Sequence, residues 1–140
     1  MRIFKFGGAS IKDAEGIKNV YDVLQKVGYE DVLLVVSAMG KTTNALEIVI
    51  KNYFDKSSEL YASVQEVKKY HNQILIDLFD DEEADVFFSV NGHFADLEYF
   101  LRSNKSPNYN FVYDQVISYG EIVSTTIVSH YFNEKGIKSN

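Results

Sequence analysis

The chain has 140 residues, 46% of them hydrophobic and 24% charged, which is the balance of one soluble globular domain and argues against disorder. Its formal net charge of -6 argues against nonspecific nucleic-acid binding, and the absence of cysteine excludes disulfides, thiolate metal sites and cysteine nucleophiles. Because no apolar run is long enough for a signal peptide or a membrane span, we expect a cytoplasmic protein without a membrane partner.

The first 36 residues predict a β-α-β unit. Residues 2–6 alternate polar and apolar side chains, which predicts a strand. Apolar positions recur at helical spacing over residues 12–26, and Gly28 lies where a glycine commonly ends a helix. Residues 32–36 form a continuous apolar run, which is typical of a strand buried on both faces of a parallel sheet.

A crossover helix between two strands implies a right-handed parallel unit, in which ligands bind beyond the carboxyl ends of the strands. Two glycine-containing segments follow those ends, GGAS after the first strand and SAMGKTTN after the second. We therefore expect these two segments to be neighbours in space.

Beyond Asn44 the sequence predicts a mostly helical half. Four segments have helical character, 46–54, 57–79, 83–102 and 114–133, and a polar, turn-rich stretch around Pro107 separates the last two. Two strands cannot form a self-sufficient parallel sheet, and the chain stops at NEKGIKSN, where a helix ends in a glycine turn and another strand would begin. These features predict a truncated protein.

The stretch KFGGAS, residues 5–10, has the features of an anion-binding turn. Glycines between a strand and a helix let backbone N–H groups approach an anion closely, and Lys5 could reach the same anion as a point charge. Neither the P-loop spacing nor the G-x-G-x-x-G dinucleotide fingerprint occurs in the chain. The alternative is a tight turn with an exposed lysine.

The segment SAMGKTTN again combines small residues, a glycine, a lysine and hydroxyl groups at a junction between strand and helix. Helix capping by Thr42, Thr43 or Asn44 would explain it alone. Two such turns at one sheet edge predict a cleft for phosphate and polar ligands.

A third motif, SYGE, spans residues 118–121 and fits the S-x-x-E capping box. On spacing alone, capping by Ser118 and Glu121 is favoured over a ligand contact. The three histidines are scattered without metal-ligand spacing, so we assign them no role and predict no metal site built from side chains.

These motifs carry a family resemblance. KFGGAS, VVSAMGKTTNAL and DQVISYGEIVSTTIVSHYFNEKG resemble the three N-terminal signatures of aspartate kinases, in that order. The resemblance implies an α/β fold, the three-layer αβα sandwich of amino-acid kinases, here incomplete and with a largely helical second half. It also implies that residues 1–140 are the N-terminal portion of a single kinase domain, whose nucleotide-binding half and regulatory domains lie beyond this chain.

The resemblance implies transfer of the γ-phosphoryl group of ATP to the side-chain carboxylate of L-aspartate, with Mg²⁺ held by the ATP phosphates. Lys5 would stabilise charge on the transferring group, and Gly7 and Gly8 would place backbone N–H groups on the phosphates. Ser10 is assigned to the same phosphate site because it lies in the first motif.

For the acceptor, the resemblance implies that Ser37 and Thr43 contact the aspartate and that Glu121 faces its ammonium group. Such a site needs no general base, because the attacking carboxylate is already ionised at neutral pH. Lysine, amide groups and Mg²⁺ supply the positive charge that phosphoryl transfer requires.

Two departures from the family pattern stand out. Ala9 replaces the threonine of most relatives, which removes one hydroxyl and leaves the backbone of the turn intact. The chain is also short, so we expect it to be inactive alone. A sibling kinase with another acceptor and a non-catalytic module of the same fold remain alternatives, and the open edge of a truncated sheet favours a homo-oligomer.

Overall fold

The computed structural model describes residues 1–139, which form a small parallel sheet and a set of long helices. The elements in chain order are β1 (Arg2–Phe6), α1 (Ala14–Val27), β2 (Val32–Val36), α2 (Thr42–Phe54), α3 (Leu60–Leu78), α4 (Asp85–Ser103) and α5 (Tyr109–Glu134). A short 3₁₀ helix, Gly8–Ile11, lies between β1 and α1. None of the helices within residues 1–139 combines the length and apolar character that a membrane span requires.

The predicted β-α-β unit is confirmed. β1 and β2 pair in parallel, in a register that sets Arg2 opposite Val32 and Phe6 opposite Val36. Because α1 connects the two strands, the segments that follow β1 and β2 lie at the same edge of the sheet.

α1 begins at Ala14 rather than at residue 12, because the 3₁₀ helix comes first and Asp13 then caps α1. The Asp13 carboxylate accepts a hydrogen bond of 2.9 Å from the Gly16 N–H. Gly28 ends the helix with φ +88°, a left-handed conformation that favours glycine, as the sequence predicts.

The two faces of the sheet have different environments. Phe4 and Leu34 lie on the face that packs against the helical core, whereas Ile3 and Leu33 on the opposite face are 66% and 48% exposed. The expectation that β2 is buried on both faces is therefore wrong for the described residues, because the helices of this chain cover only one face.

The helical half forms one continuous core with that covered face. α2 packs against α3 and α5, α4 packs against α3 and α5, and α5 also contacts β2. Each helix contributes fully buried side chains, for example Ile17, Leu46, Leu75, Phe94 and Ile127. The four predicted helices are confirmed, although α2 begins at Thr42 and α5 at Tyr109, several residues earlier than expected.

Candidate functional site

Two loops meet at the carboxyl edge of the sheet, a first loop of residues 7–12 and a second loop of residues 37–41. The Ser37 N–H donates a hydrogen bond of 3.1 Å to the carbonyl of Phe6, and the Gly40 N–H donates one of 2.9 Å to the carbonyl of Gly8. The prediction that these segments are neighbours in space is confirmed. The bond from Gly40 to Gly8 joins the two loops directly.

Gly8 is a glycine because the loops approach closely. A Cβ atom on Gly8 would lie 2.7 Å from the carbonyl oxygen of Ala38 and 2.8 Å from that of Gly40. Side-chain carbon atoms do not approach backbone oxygen so closely, so any other residue here would push the loops apart. Gly8 thus has a structural role in the loop contact.

Gly7 has no such constraint. Its φ of -80° and ψ of 172° are extended values that any residue adopts, and no heavy atom of the described residues lies within 4 Å of a Cβ built on it, its chain neighbours aside. Gly7 is exposed at the start of the 3₁₀ helix. Neither backbone strain nor crowding within the described chain explains the glycine.

The second loop leads into α2 without the capping that the sequence suggested. Lys41 is the N-cap residue of α2, and its side chain makes no capping hydrogen bond within residues 1–139. Thr42 is buried in the first turn and donates a hydrogen bond of 2.5 Å back to the carbonyl of Met39. Capping by Thr42, Thr43 or Asn44 is therefore wrong, and Thr43 lies half-buried in the first turn of α2.

The capping-box explanation of SYGE is also wrong. Ser118 and Glu121 lie well inside α5, whose first turn is capped by Asn108 through a hydrogen bond of 3.0 Å from the Phe111 N–H. The Ser118 hydroxyl donates within the helix, at 2.7 Å, to the carbonyl of Gln115. Glu121 is exposed, in a shallow groove that Ser118 also lines.

α5 brings this segment against the second loop. Gly120 is buried where a Cβ would lie 3.0 Å from the Ala38 side chain and 3.3 Å from that of Thr42. The buried Ser124 hydroxyl donates a hydrogen bond of 2.7 Å to the carbonyl of Ser37. Sequence reasoning missed both residues, although each lies within three positions of Glu121 in the third motif.

α3 contributes two further residues that the sequence did not indicate. The Tyr70 hydroxyl donates to the carbonyl of Lys12 in the first loop. His71 is completely buried, with its Nε2 3.4 Å from the Thr42 hydroxyl oxygen. Burial lowers the pKa of His71 below its ordinary value, although a hydrogen bond to the carbonyl of Val67 opposes that shift. The pKa of Tyr70 is raised, mainly by burial and to a smaller extent by the negative charge of Asp13.

The remaining predicted site residues lie around the first loop. Lys5 is exposed on β1, opposite Val35 in the register, on the open face of the sheet. Ser10 is exposed in the 3₁₀ helix, and its N–H donates a hydrogen bond of 3.0 Å to the carbonyl of Gly7. Within residues 1–139 no group of three or more His, Asp or Glu side chains is arranged to hold a metal ion.

A parallel β-α-β unit with two glycine loops at its carboxyl edge and a long helix packed on the second loop is an arrangement suited to binding a phosphorylated ligand. The chain belongs to the amino acid kinase family, whose model matches residues 1–140.

Curated relatives of similar sequence are aspartokinases. The chain is 29% identical over 136 residues to bifunctional aspartokinase/homoserine dehydrogenase 2 of Escherichia coli, covering 97% of the chain and 16% of that protein. It is 30% identical over 142 residues to the chloroplastic aspartokinase 2 of Arabidopsis thaliana, covering 98% of the chain and 25% of that protein. The chain therefore spans a quarter or less of these relatives.

Solved structures of similar fold include E. coli aspartokinase III in two states. The complex with aspartate and ADP (R-state) superposes with a TM-score of 0.81 at 19% identity, covering 96% of this chain and 29% of that one. The complex with lysine and aspartate (T-state) gives a TM-score of 0.83 at 19% identity, covering 99% of this chain and 30% of that one. The predicted amino-acid kinase fold is confirmed.

Proposed function

We propose that this chain is the phosphate- and acceptor-binding part of an aspartate kinase. In the reaction, a side-chain carboxylate oxygen of L-aspartate forms a bond to the γ-phosphorus of ATP, the bond from that phosphorus to the leaving ADP breaks, and 4-phospho-L-aspartate results. This product starts the biosynthesis of lysine, threonine and methionine.

One observation carries the proposal: the three motifs converge at one edge of the sheet. The hydrogen bond from Gly40 to Gly8 joins the first two motifs, and the hydrogen bond from Ser124 to Ser37 joins the third to the second. The aspartokinase relatives support the choice of reaction, and the aspartate and ADP bound to aspartokinase III support the choice of substrates.

At the phosphate end, Gly8 is explained by packing between the loops, whereas Gly7 is better explained by ligand binding. Gly8 is required by the loop contact, whereas the space beside Gly7 is open, so a glycine at position 7 suits a backbone that a phosphate group approaches closely. Lys5 supplies a cation near the start of the same loop, and Ser10 an exposed hydroxyl within it. These groups would bind and orient the transferring phosphoryl group.

Mg²⁺ fits this arrangement as a partner of the nucleotide. Within residues 1–139 no group of three or more His, Asp or Glu side chains could hold a metal by itself, so we assign the ion to the phosphate oxygens of ATP. When bound there, Mg²⁺ neutralises negative charge that builds up during phosphoryl transfer.

At the acceptor end, aspartate presents two carboxylates and one ammonium group. Ser37 and Thr43 lie at the end of β2 and in the first turn of α2, where hydroxyl groups and helix N–H groups favour a carboxylate. Glu121 is exposed on α5, next to Gly120, the residue that packs against the second loop. A carboxylate there would bind the ammonium group and orient the acceptor.

Hydroxylamine trapping of the acyl phosphate tests this function. The complete gene product and this 140-residue chain are assayed in parallel with ATP, Mg²⁺ and a panel of amino-acid acceptors. We expect hydroxamate from the complete product with aspartate alone and none from the 140-residue chain. We expect no product from the 140-residue chain because we also propose that it is only part of the kinase domain.

Lys5→Ala in the complete product provides the residue-level test, with the exposed α1 residue Lys26→Ala as the matched control. Loss of a cation from the transferring group should lower kcat about a hundredfold or more, with little change in KM. Hydroxamate formed only with another acceptor would show that the protein is a sibling kinase rather than an aspartate kinase. No hydroxamate with any acceptor would favour a non-catalytic binding module.

A further inference from the structure

We propose that the adjacent α3 residues Tyr70 and His71 are positioning residues that hold the first and second loops at a fixed separation. The effect of these residues on catalysis rests on the proposed function. In that function the first loop orients the phosphoryl donor and the second loop orients the acceptor, so the separation of the loops sets the approach of the reacting atoms.

Tyr70 contacts both loops at once. Its hydroxyl donates to the carbonyl of Lys12, at the end of the first loop. The same ring fills the space beside Gly40 in the second loop, where an added Cβ would lie 3.3 Å from Tyr70 Cζ and closer still to the hydroxyl oxygen. Gly40 has φ +54°, so both its conformation and its contact with Tyr70 favour glycine.

His71 supports the second loop from inside the core. Its Nδ1 donates a hydrogen bond of 2.8 Å to the carbonyl of Val67, which fixes the ring on α3. Its Nε2 packs 3.4 Å from the Thr42 hydroxyl oxygen. The single proton of that hydroxyl is donated to the carbonyl of Met39 in the second loop, so His71 supports Thr42 by packing rather than by a hydrogen bond. The ring of Phe94, with its centroid 5.7 Å from that of His71, packs beside it.

The consequence is that α3, which carries none of the residues assigned to substrates, holds the two loops that carry Gly7, Gly8, Ser10 and Ser37. Apart from the α3 contacts, the loops are joined by the backbone hydrogen bond of 2.9 Å from the Gly40 N–H to the carbonyl of Gly8. Phosphoryl transfer is sensitive to displacements of about 1 Å, which can cost about a hundredfold in rate. A rigid helix that touches both loops suppresses such displacements.

Tyr70→Phe in the complete gene product is the primary test, because it removes one hydroxyl and keeps the ring. The matched control is Tyr61→Phe, on the same helix with its side chain 66% exposed. Amide hydrogen exchange is measured without ligands over residues 7–12 and 37–43, followed by kcat and KM for both substrates.

We expect Tyr70→Phe to accelerate exchange in both loops and leave α4 and α5 unchanged. We also expect it to lower kcat about tenfold with KM for both substrates nearly constant, whereas Tyr61→Phe changes neither. Unchanged exchange in the loops would overturn the inference whatever the activity does. Faster exchange in a protein that phosphorylates no acceptor would support the positioning role of Tyr70 and overturn the proposed function instead.

A second pair of variants tests His71 without relying on the tyrosine. His71→Gln keeps an N–H donor like the Nδ1 group that bonds to the Val67 carbonyl and fixes the side chain on α3, whereas His71→Leu keeps a side chain of similar volume without a donor. We expect residues 37–43 to exchange more slowly in His71→Gln than in His71→Leu. Equal protection of residues 37–43 in two folded variants would show that His71 is not a positioning residue.

Discussion

The Ser124 hydroxyl donates a hydrogen bond of 2.7 Å to the carbonyl of Ser37, across 87 positions of sequence. Ser124 is completely buried on α5, and Ser37 is the first residue after β2. Because Gly120 contacts the same loop one turn earlier, the third motif is held against the second at two points. The hydrogen bond therefore fixes both the end of the strand and the helix that carries Glu121.

Replacing this hydroxyl should destabilise the protein. Ser124→Ala removes the hydrogen bond to the half-buried Ser37 residue, which costs about 0.5–1.5 kcal/mol of unfolding free energy. Ser118→Ala is the matched control, because that hydroxyl is exposed and bonds only within its own helix, to Gln115. Urea denaturation of the two variants measures the difference, and equal stabilities would contradict this role for Ser124.

The two glycines of the first loop should respond in opposite ways. Gly7→Ala meets open space and an ordinary backbone conformation, so we expect the unfolding free energy to stay constant or rise by about 0.4–1 kcal/mol. Gly8→Ala forces a carbon against two backbone oxygens and should cost about 1–3 kcal/mol. Thermal and urea denaturation of the complete gene product test both expectations.

Enzyme activity tests whether Gly7 also has a role in ligand binding. If a phosphate group approaches Gly7 closely, Gly7→Ala should lower kcat/KM for ATP about tenfold or more while the fold stays intact. In the stability measurements the two variants control for each other, since they place the same methyl group on neighbouring residues. A Gly7→Ala protein that is as active as the wild type would remove Gly7 from the phosphate site.

Sequence periodicity predicted the sheet and the meeting of the two glycine loops, because both follow from local patterns and from the handedness of a parallel crossover. It misplaced the start of α5, since Asn108 provides a cap directly after Pro107 and the helix then runs through Ser118 to Glu134. Once Ser118 lies inside a helix, its spacing to Glu121 carries no capping meaning.

Contacts between segments that are distant in sequence could not be predicted, because no local sequence pattern indicates them. Tyr70 and His71 lie in an ordinary amphipathic helix, and only packing of α3 on α1 and α2 brings them to the loops. The exposed face of β2 was missed for a related reason. A continuous apolar run shows that both faces of a strand are suited to burial. Which face is actually covered depends on the helices present in this chain.

Glu121 should affect aspartate binding and leave stability alone. Glu121→Gln removes the charge that would face the substrate ammonium group, and a hydrogen bond between charged partners contributes about 1.5–3 kcal/mol. The KM for aspartate should therefore rise about tenfold to a hundredfold, while the melting temperature stays near that of the wild type, because Glu121 caps no helix.

Glu134→Gln, at the exposed end of the same helix, is the control for Glu121. Steady-state kinetics with aspartate varied at saturating ATP, combined with thermal melts, distinguish a ligand contact from a structural one. A large drop in melting temperature with unchanged KM would assign Glu121 to the fold.

His71 should make the stability of the protein depend on pH near neutrality. Burial lowers the pKa of His71 in the folded protein, so below its ordinary value of about 6.5 the unfolded chain binds a proton that the folded chain excludes. Stability should therefore fall as the pH decreases from 7.5 to 5.5, with His71 contributing at most about 1.4 kcal/mol per pH unit. His71→Gln lacks this term and keeps every carboxylate and both other histidines, so urea denaturation at intervals across that range should show the advantage of the wild type shrinking towards low pH. Parallel stability curves would mean that His71 takes up its proton equally well in the folded and unfolded states.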